Sequence, residues 1–183
     1  MKKYNPFPPV DFYVWDTDIT PEDYHSILNE AGQAGHSLKE NHQGIRTEYG
    51  QPNPSPFFDG WLKLLRKFMN HKFEEFIKDR GVVDIKFLDM WTQITKDHVW
   101  HKPHSHGAWG KASNWSFAWY VDVDEKVHQG TRYYSTPMCV HEWVVDAKQG
   151  KFIMWPSNVI HCQLPSNSGI DRAIISGNIV LVK

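Results

Sequence analysis

The apolar positions of this chain change their period near Gly81. From Pro56 to Arg80, Phe58, Trp61, Leu62, Leu65, Phe68, Met69, Phe73, Phe76 and Ile77 recur at helical spacing, which predicts one long helix stopped by Gly81. Its aromatic stripe reads as core packed against a sheet. A shorter helix is signalled by its start: Thr20-Pro21-Glu22-Asp23 offers an N-cap, a proline at the first helical position and early acid, and the helix runs to about Gly32. Ahead of it, VDFYVWD over residues 10–16 reads as a short strand. Residues 36–56 are polar and rich in Gly, Pro and Asn, and predict a long surface loop of a length that suits a lid or entrance flap.

After Gly81 the pattern becomes one of short strands with turn signals about every ten residues. VDIKFLDMWTQIT, WSFAWYVDVD, RYYSTPMCVHEWVV, KFIMWP, VIHCQLP and RAIISGNIVLVK are rich in β-branched and aromatic residues, and EKVHQG, DAKQG and SNSGID separate some of them. Helices followed by many short strands predict a mainly β sandwich or barrel with helices buttressing one face. The expected organisation is a single domain over 1–183, with 1–82 as helical N-terminal support and 83–183 as the strand-rich core.

Composition narrows the function classes. A chain of 183 residues is long enough to bury a core, and its 20 basic and 21 acidic side chains are evenly mixed. No basic stripe of the kind that binds nucleic acid is visible. No segment reads as a signal peptide or a membrane span. Two cysteines, Cys139 and Cys162, do not make a disulfide framework, which points to a reducing, cytoplasmic setting.

The chemistry concentrates in two stretches. HVWHKPHSHGAW, from residue 98, holds four histidines in nine residues. His104 and His106 are two apart, so on a strand both imidazoles point to one face, and neutral imidazole suits Fe, Zn, Cu or Ni. His101 stands three residues from His104 across Pro103, a spacing that fits neither a strand face nor a helix, and His98 stands further back beside Trp100. A solvated histidine tract explains this stretch equally well. The second stretch, GKFIMWPSNVIHCQLP, places His161 in an apolar strand, and Arg172 opens the next strand eleven residues later. An arginine sharing a strand face with Ile174, Ser176 and Asn178 is costly unless it meets a carboxylate. The residues of these two strands offer no obvious acidic partner; a bound dicarboxylate would be one.

H-x-H, a strand ending in Tyr-Val, Trp-Pro-Ser ahead of a histidine, and an arginine about ten residues later resemble the iron(II)- and 2-oxoglutarate-dependent oxygenases. The closer likeness is to the prolyl 4-hydroxylase-like group found in phage and marine bacterial genomes. The likeness covers roughly residues 83–183. It implies a double-stranded β-helix, or jelly roll, whose open mouth holds Fe(II). His104 and His161 then stand as the family's two histidine ligands, and Arg172 as the residue that holds the far carboxylate of 2-oxoglutarate. Ser176 stands where prolyl hydroxylases carry a hydroxyl that shares that carboxylate, and Tyr120 where the family has a phenol donor to it. The same likeness implies O2 and a peptide or small molecule as substrates, and a monomer or homodimer in the cytoplasm, the host's if the chain is phage-encoded.

One position departs from the pattern. The family's carboxylate ligand falls two residues after the first histidine, and here that residue is His106. Either His106 ligates and makes a three-histidine site, or the iron keeps two protein ligands and an added water. Gln93, Asn114 and Asn178 are further candidates to line the pocket, while His128 and His141 read as surface residues. The leading expectation is a 2-oxoglutarate-dependent dioxygenase. Its rivals are a three-histidine cupin-type metal dioxygenase without 2-oxoglutarate, in which Arg172 clamps a substrate carboxylate, and a non-catalytic jelly-roll binding module.

Overall fold

The structure, a computed structural model, describes residues 1–7, 10–49, 57–106, 115–135 and 141–183. Asn114 and Cys139 lie outside the described residues. In chain order the elements are β1 (Lys2–Phe7), β2 (Val10–Asp16), α1 (Pro21–Gln33), β3 (Lys39–Glu40), β4 (Ile45–Thr47), α2 (Phe58–Arg80), β5 (Asp84–Thr95), β6 (His101–His104), β7 (Trp115–Asp122), β8 (Thr131–Tyr134), β9 (Glu142–Val145), β10 (Lys151–Pro156), β11 (Ile160–Gln163) and β12 (Arg172–Val182).

The strands form an eight-stranded sheet in the order β1-β2-β10-β7-β12-β5-β4-β3 and a four-stranded sheet in the order β6-β11-β8-β9. The β7, β10 and β12 pairings at the centre of the large sheet are antiparallel, as are the β6, β8 and β11 pairings of the small one. This is the mainly β jelly roll with helices on one face. Alternation along β7 builds both layers of the core. Trp115, Phe117, Trp119 and Val121 pack on the helix side with Trp61, Leu64, Leu65, Met69, Phe73 and Phe76 of α2. Ala118 and Tyr120 turn the other way, into the space between the sheets, with Phe12, Tyr133, Ile153, Trp155 and Ile174. Each fully buried aliphatic or aromatic side chain of this kind contributes roughly 1.5–3 kcal/mol, so a one-residue slip of β7 would cost the whole fold.

The helix ends follow the chemistry of the sequence. Thr20 accepts a hydrogen bond from the Asp23 N–H while Asp23 accepts from the Thr20 N–H, a reciprocal capping box, with Pro21 at the first helical position. Gly81 closes α2 in the left-handed region at φ 62°. No helix among the described residues is long and apolar enough to cross a membrane.

One local expectation gives way. The stretch 36–56 is not all surface loop: β4 pairs with β5, and Ile45, Thr47 and Glu48 are buried. Glu48 Oε1 accepts from the Trp61 indole N–H at 2.7 Å and from the Thr92 N–H at 2.8 Å, which seats this segment on α2 and β5. In residues 1–82 the strand expected at 10–16 is β2, and β1, β3 and β4 join it to complete both ends of the large sheet. A two- or three-residue pairing carries too little periodicity to be seen in sequence, and β1 contains Pro6 with a register shift between Tyr4 and Phe7.

Candidate metal centre

The small sheet carries the site. On its inner face one rung runs His104, His161, Tyr133 across β6, β11 and β8, and the next runs His101, Gln163, Thr131. Three residues of β6 span what two span on β11, so the strand bulges between the rungs. Pro103 sits in the bulge, where its missing N–H leaves no ladder bond to lose. The bulge returns His101 to the same face as His104, with ring centroids 4.3 Å apart. Strict alternation had set His101 aside, and this irregularity is why it lines the cavity after all. His98 faces solvent with its side chain 72% exposed.

His106 follows β6 and is held from two sides. Its N–H donates to the Ser157 carbonyl at 2.8 Å, which ties the end of the histidine stretch to the turn that follows β10. One ring nitrogen from each of His104, His106 and His161 lies within 4.8 Å of the other two. Among the described residues this is the one such cluster of metal-ligating side chains.

The hydrogen bonds of the three rings fix which nitrogen is free. His104 Nδ1 lies 2.8 Å from the Lys102 carbonyl, and His161 Nδ1 lies 3.1 Å from the Val159 carbonyl. A carbonyl only accepts, so both Nδ1 atoms carry the proton and both Nε2 atoms keep a lone pair. His106 Nδ1 lies 2.7 Å from Asn178 Oδ1, with Ser116 Oγ at 2.9 Å. Burial pushes His104 and His106 toward the neutral form, His106 to about 4, and drives fully buried His161 well below the usual range. Three neutral imidazoles with anchored Nδ1–H groups are the donor set of a bound transition metal. The residues fit iron(II).

Behind the histidines lies a second feature. Arg172, at the start of β12 and 2% exposed, donates from Nη1 to the Gln129 carbonyl at 2.6 Å. Its Nε and Nη2 have no partner among the described residues. Burial lowers the guanidinium to about 10, so it remains a cation at neutral pH. The Tyr133 hydroxyl is likewise buried with no hydrogen-bond partner among the described residues, and burial holds it protonated, as a donor. Trp91 and Trp155 border the cavity, and each has a buried indole N–H in the same condition. Orphaned buried donors each cost about 1–3 kcal/mol; those of Trp91 and Trp155 belong to rings that border the cavity, while Arg172 and Tyr133 stand outside its lining, on the strands β12 and β8 that also carry Ile174, Ser176 and Thr131 of its wall. What they call for is a ligand rich in acceptor oxygens and negatively charged.

The other expected residues divide. Ser176 and Gln93 border the cavity. Tyr120 lies under the Arg172 guanidinium at 5.9 Å, but its hydroxyl is engaged: it accepts from the Thr131 N–H at 2.9 Å and shares a 2.6 Å hydrogen bond with Thr131 Oγ1. The free phenol is that of Tyr133, which sequence reasoning missed because its place opposite His161 depends on a non-local pairing. His128 is buried, its Nδ1 accepting from the Asp124 N–H and its Nε2 3.0 Å from the Ile170 carbonyl. It was expected at the surface, and it instead pins a turn.

No family model matches the sequence, and no curated protein matches it. Solved structures do. A 2OG-Fe(II) oxygenase family oxidoreductase from Burkholderia pseudomallei aligns at TM-score 0.66 and 14% identity, over 92% of this chain and 83% of that one. The chain has the fold of these oxygenases. The viral collagen prolyl hydroxylase of Paramecium bursaria Chlorella virus-1, solved as its 2-oxoglutarate complex, aligns at 0.58 and 16% identity, over 94% of this chain and 96% of that one. HygX from Streptomyces hygroscopicus, solved with nickel and 2-oxoglutarate bound, aligns at 0.61 and 11%, over 92% and 82%.

Proposed function

We propose that this protein is an Fe(II)- and 2-oxoglutarate-dependent dioxygenase that hydroxylates a C–H bond of a peptide or small-molecule substrate with O2. The observation that carries the reading is Arg172: a buried cation with two nitrogens, Nε and Nη2, that have no partner among the described residues, in the same fold interior as three histidines presenting Nε2. Iron(II) with 2-oxoglutarate would supply the electrons that activate O2: oxidative decarboxylation of 2-oxoglutarate to succinate and CO2 would take up one oxygen atom, and the other would be inserted into the substrate C–H bond as a hydroxyl.

In this reading His104, His106 and His161 hold the metal, and their Nδ1 hydrogen bonds keep the rings aimed. Arg172 and the Tyr133 phenol receive the far carboxylate of 2-oxoglutarate, Ser176 borders the same space, and Tyr120 holds Thr131 and underlies the guanidinium. The apolar wall of Ile174, Trp155 and Ala118 excludes water, which strengthens each charged contact inside. The helices and N-terminal strands brace the large sheet, so the chain works as one domain. Structural neighbours that are solved with 2-oxoglutarate support the assignment.

Among the described residues no carboxylate joins the cluster of three histidines, which favours one rival, a three-histidine dioxygenase that uses no 2-oxoglutarate. Succinate decides between them. Incubation with Fe(II), 2-oxoglutarate and air, with a panel of proline-containing peptides and small molecules, is expected to release succinate, and His161→Ala to release none. Oxygen consumption without succinate would support the rival.

A further inference from the structure

The third ligand position lacks a carboxylate, yet a carboxylate stands two hydrogen bonds behind it. Asn178 Oδ1 lies 2.7 Å from His106 Nδ1, and Asn178 Nδ2 donates to Asp89 Oδ1 at 2.7 Å. The three groups come from the segment after β6, from β12 and from β5, and Asn178 and Asp89 face each other in the β5–β12 register. Gly177 permits this closeness, since a Cβ there would stand 2.6 Å from both the Asp89 carbonyl and the Phe117 ring.

The chain of polarity runs one way. A carboxylate oxygen accepts, so the Asn178 atom facing Asp89 is the amide nitrogen. The atom facing His106 is then the amide oxygen, which also accepts. His106 Nδ1 must carry the proton, and its lone pair is left on Nε2. Ser116 Oγ, 2.8 Å from Asn178 Oδ1 and 2.9 Å from Ser157 Oγ, closes the network on its remaining side. His104 and His161 get the same orientation from main-chain carbonyls. His106 alone depends on a side-chain relay that ends in an anion.

We propose that Asp89, acting through Asn178, is the positioning residue of the third metal ligand: it fixes His106 in the Nδ1–H form and puts behind it the negative charge that a ligating carboxylate would otherwise bring. This rests on the reading that the three histidines hold a metal. The relay also explains what exchanging His106 for aspartate entails. An aspartate oxygen would occupy roughly the place of His106 Nδ1 and meet Asn178 Oδ1, two acceptors face to face. Turning the amide would relieve that contact and set Oδ1 against Asp89. Restoring an aspartate ligand therefore needs a donor at position 89 as well.

The test uses Co(II) alone as the probe, titrated into the full chain and followed by its visible spectrum. Asp89→Asn is expected to weaken Co(II) binding about 10–100-fold. In the His106→Asp background the sign reverses, and the double variant H106D/D89N binds more tightly than H106D. Nitrogen-15 NMR of the metal-free wild type is expected to show His106 with the proton on Nδ1, and D89N to show a mixture of tautomers. An Nε2–H form of His106 in the wild type overturns the relay whether or not D89N folds. So does an unchanged Co(II) affinity in D89N, or a change of the same sign in both backgrounds; either leaves the metal site standing. No Co(II) binding by the wild type overturns both the site and the relay.

Discussion

Arg172 gives the Gln129 carbonyl a 2.6 Å hydrogen bond and, among the described residues, nothing else a hydrogen bond at all. A fully buried guanidinium in that condition is half-satisfied by design or it is unstable, since an uncompensated buried charge costs several kcal/mol. In the proposed function, the far carboxylate of 2-oxoglutarate is the ligand that completes it. Arg172→Ala is therefore expected to lower 2-oxoglutarate affinity on the order of 100-fold or more while leaving metal binding intact, with Arg172→Lys recovering only part of the loss because the forked geometry is gone. Calorimetry with 2-oxoglutarate on the metal-loaded variants checks this, and an alanine variant that binds like the wild type would refute the assignment.

The two tyrosines are expected to separate. Tyr133→Phe removes a donor that has no hydrogen-bond partner among the described residues. It should weaken 2-oxoglutarate about 10-fold with the melting temperature unchanged or slightly raised. Tyr120→Phe strands the Thr131 N–H, so it should lower stability by about 1–2 kcal/mol. Thermal melts and cosubstrate titrations on the pair give a crossed pattern; equal effects on binding would return Tyr120 to the role that its sequence position suggested.

Glu48 gives the fold a pH dependence. Burial raises its carboxyl from 4.5 to about 7. Between those values the folded chain holds a proton that the unfolded chain has released, so the contribution of Glu48 to stability falls as pH rises from about 4.5 to about 7 and is flat above. Glu48→Gln removes this slope and keeps the oxygen that accepts from Trp61 and Thr92. Its stability should exceed that of the wild type by roughly 2–4 kcal/mol at pH 8, with the gap closing toward pH 4.5. Urea unfolding at the two pH values measures the difference directly, and a gap that widens toward acid would contradict it.

Much of this was legible in the sequence. The long helix, its Gly81 stop, the N-cap at Thr20 and the strand segments after residue 83 follow from period, caps and turn signals, because each is local; the convergence of His161 with His104 and His106 was implied by the family resemblance and needs β6 to pair with β11. What escaped depends on register between distant strands. Tyr133 stands opposite His161 only once β8 pairs with β11, Asp89 meets Asn178 only once β5 pairs with β12, and His101 joins the cavity only through a bulge. RYYSTPMCVHEWVV held two strands, β8 and β9, where the pattern suggested one. Glu48 was hidden in a polar stretch whose burial comes from β4 docking on β5.

Histidine exchange sorts the HVWHKPHSHGAW stretch. His104→Ala and His161→Ala should lose bound iron, and His106→Ala should lose most of it. His98→Ala should keep a full complement, because that side chain is largely in solvent. His101→Ala should keep iron as well, since it lines the cavity without belonging to the nitrogen cluster. Iron content per chain after gel filtration reports this, and full iron loss in His101→Ala with His104→Ala still loaded would reverse the ligand assignment.

The proposed chemistry requires one metal and one dicarboxylate to share one site. Anaerobic calorimetry of 2-oxoglutarate binding to the wild-type chain, with and without Fe(II), measures that coupling. The predicted result is tight binding with iron present, a loss of at least about 10-fold without it, and the same loss in iron-treated His161→Ala. Binding that is indifferent to iron, or absent in both cases, would contradict it.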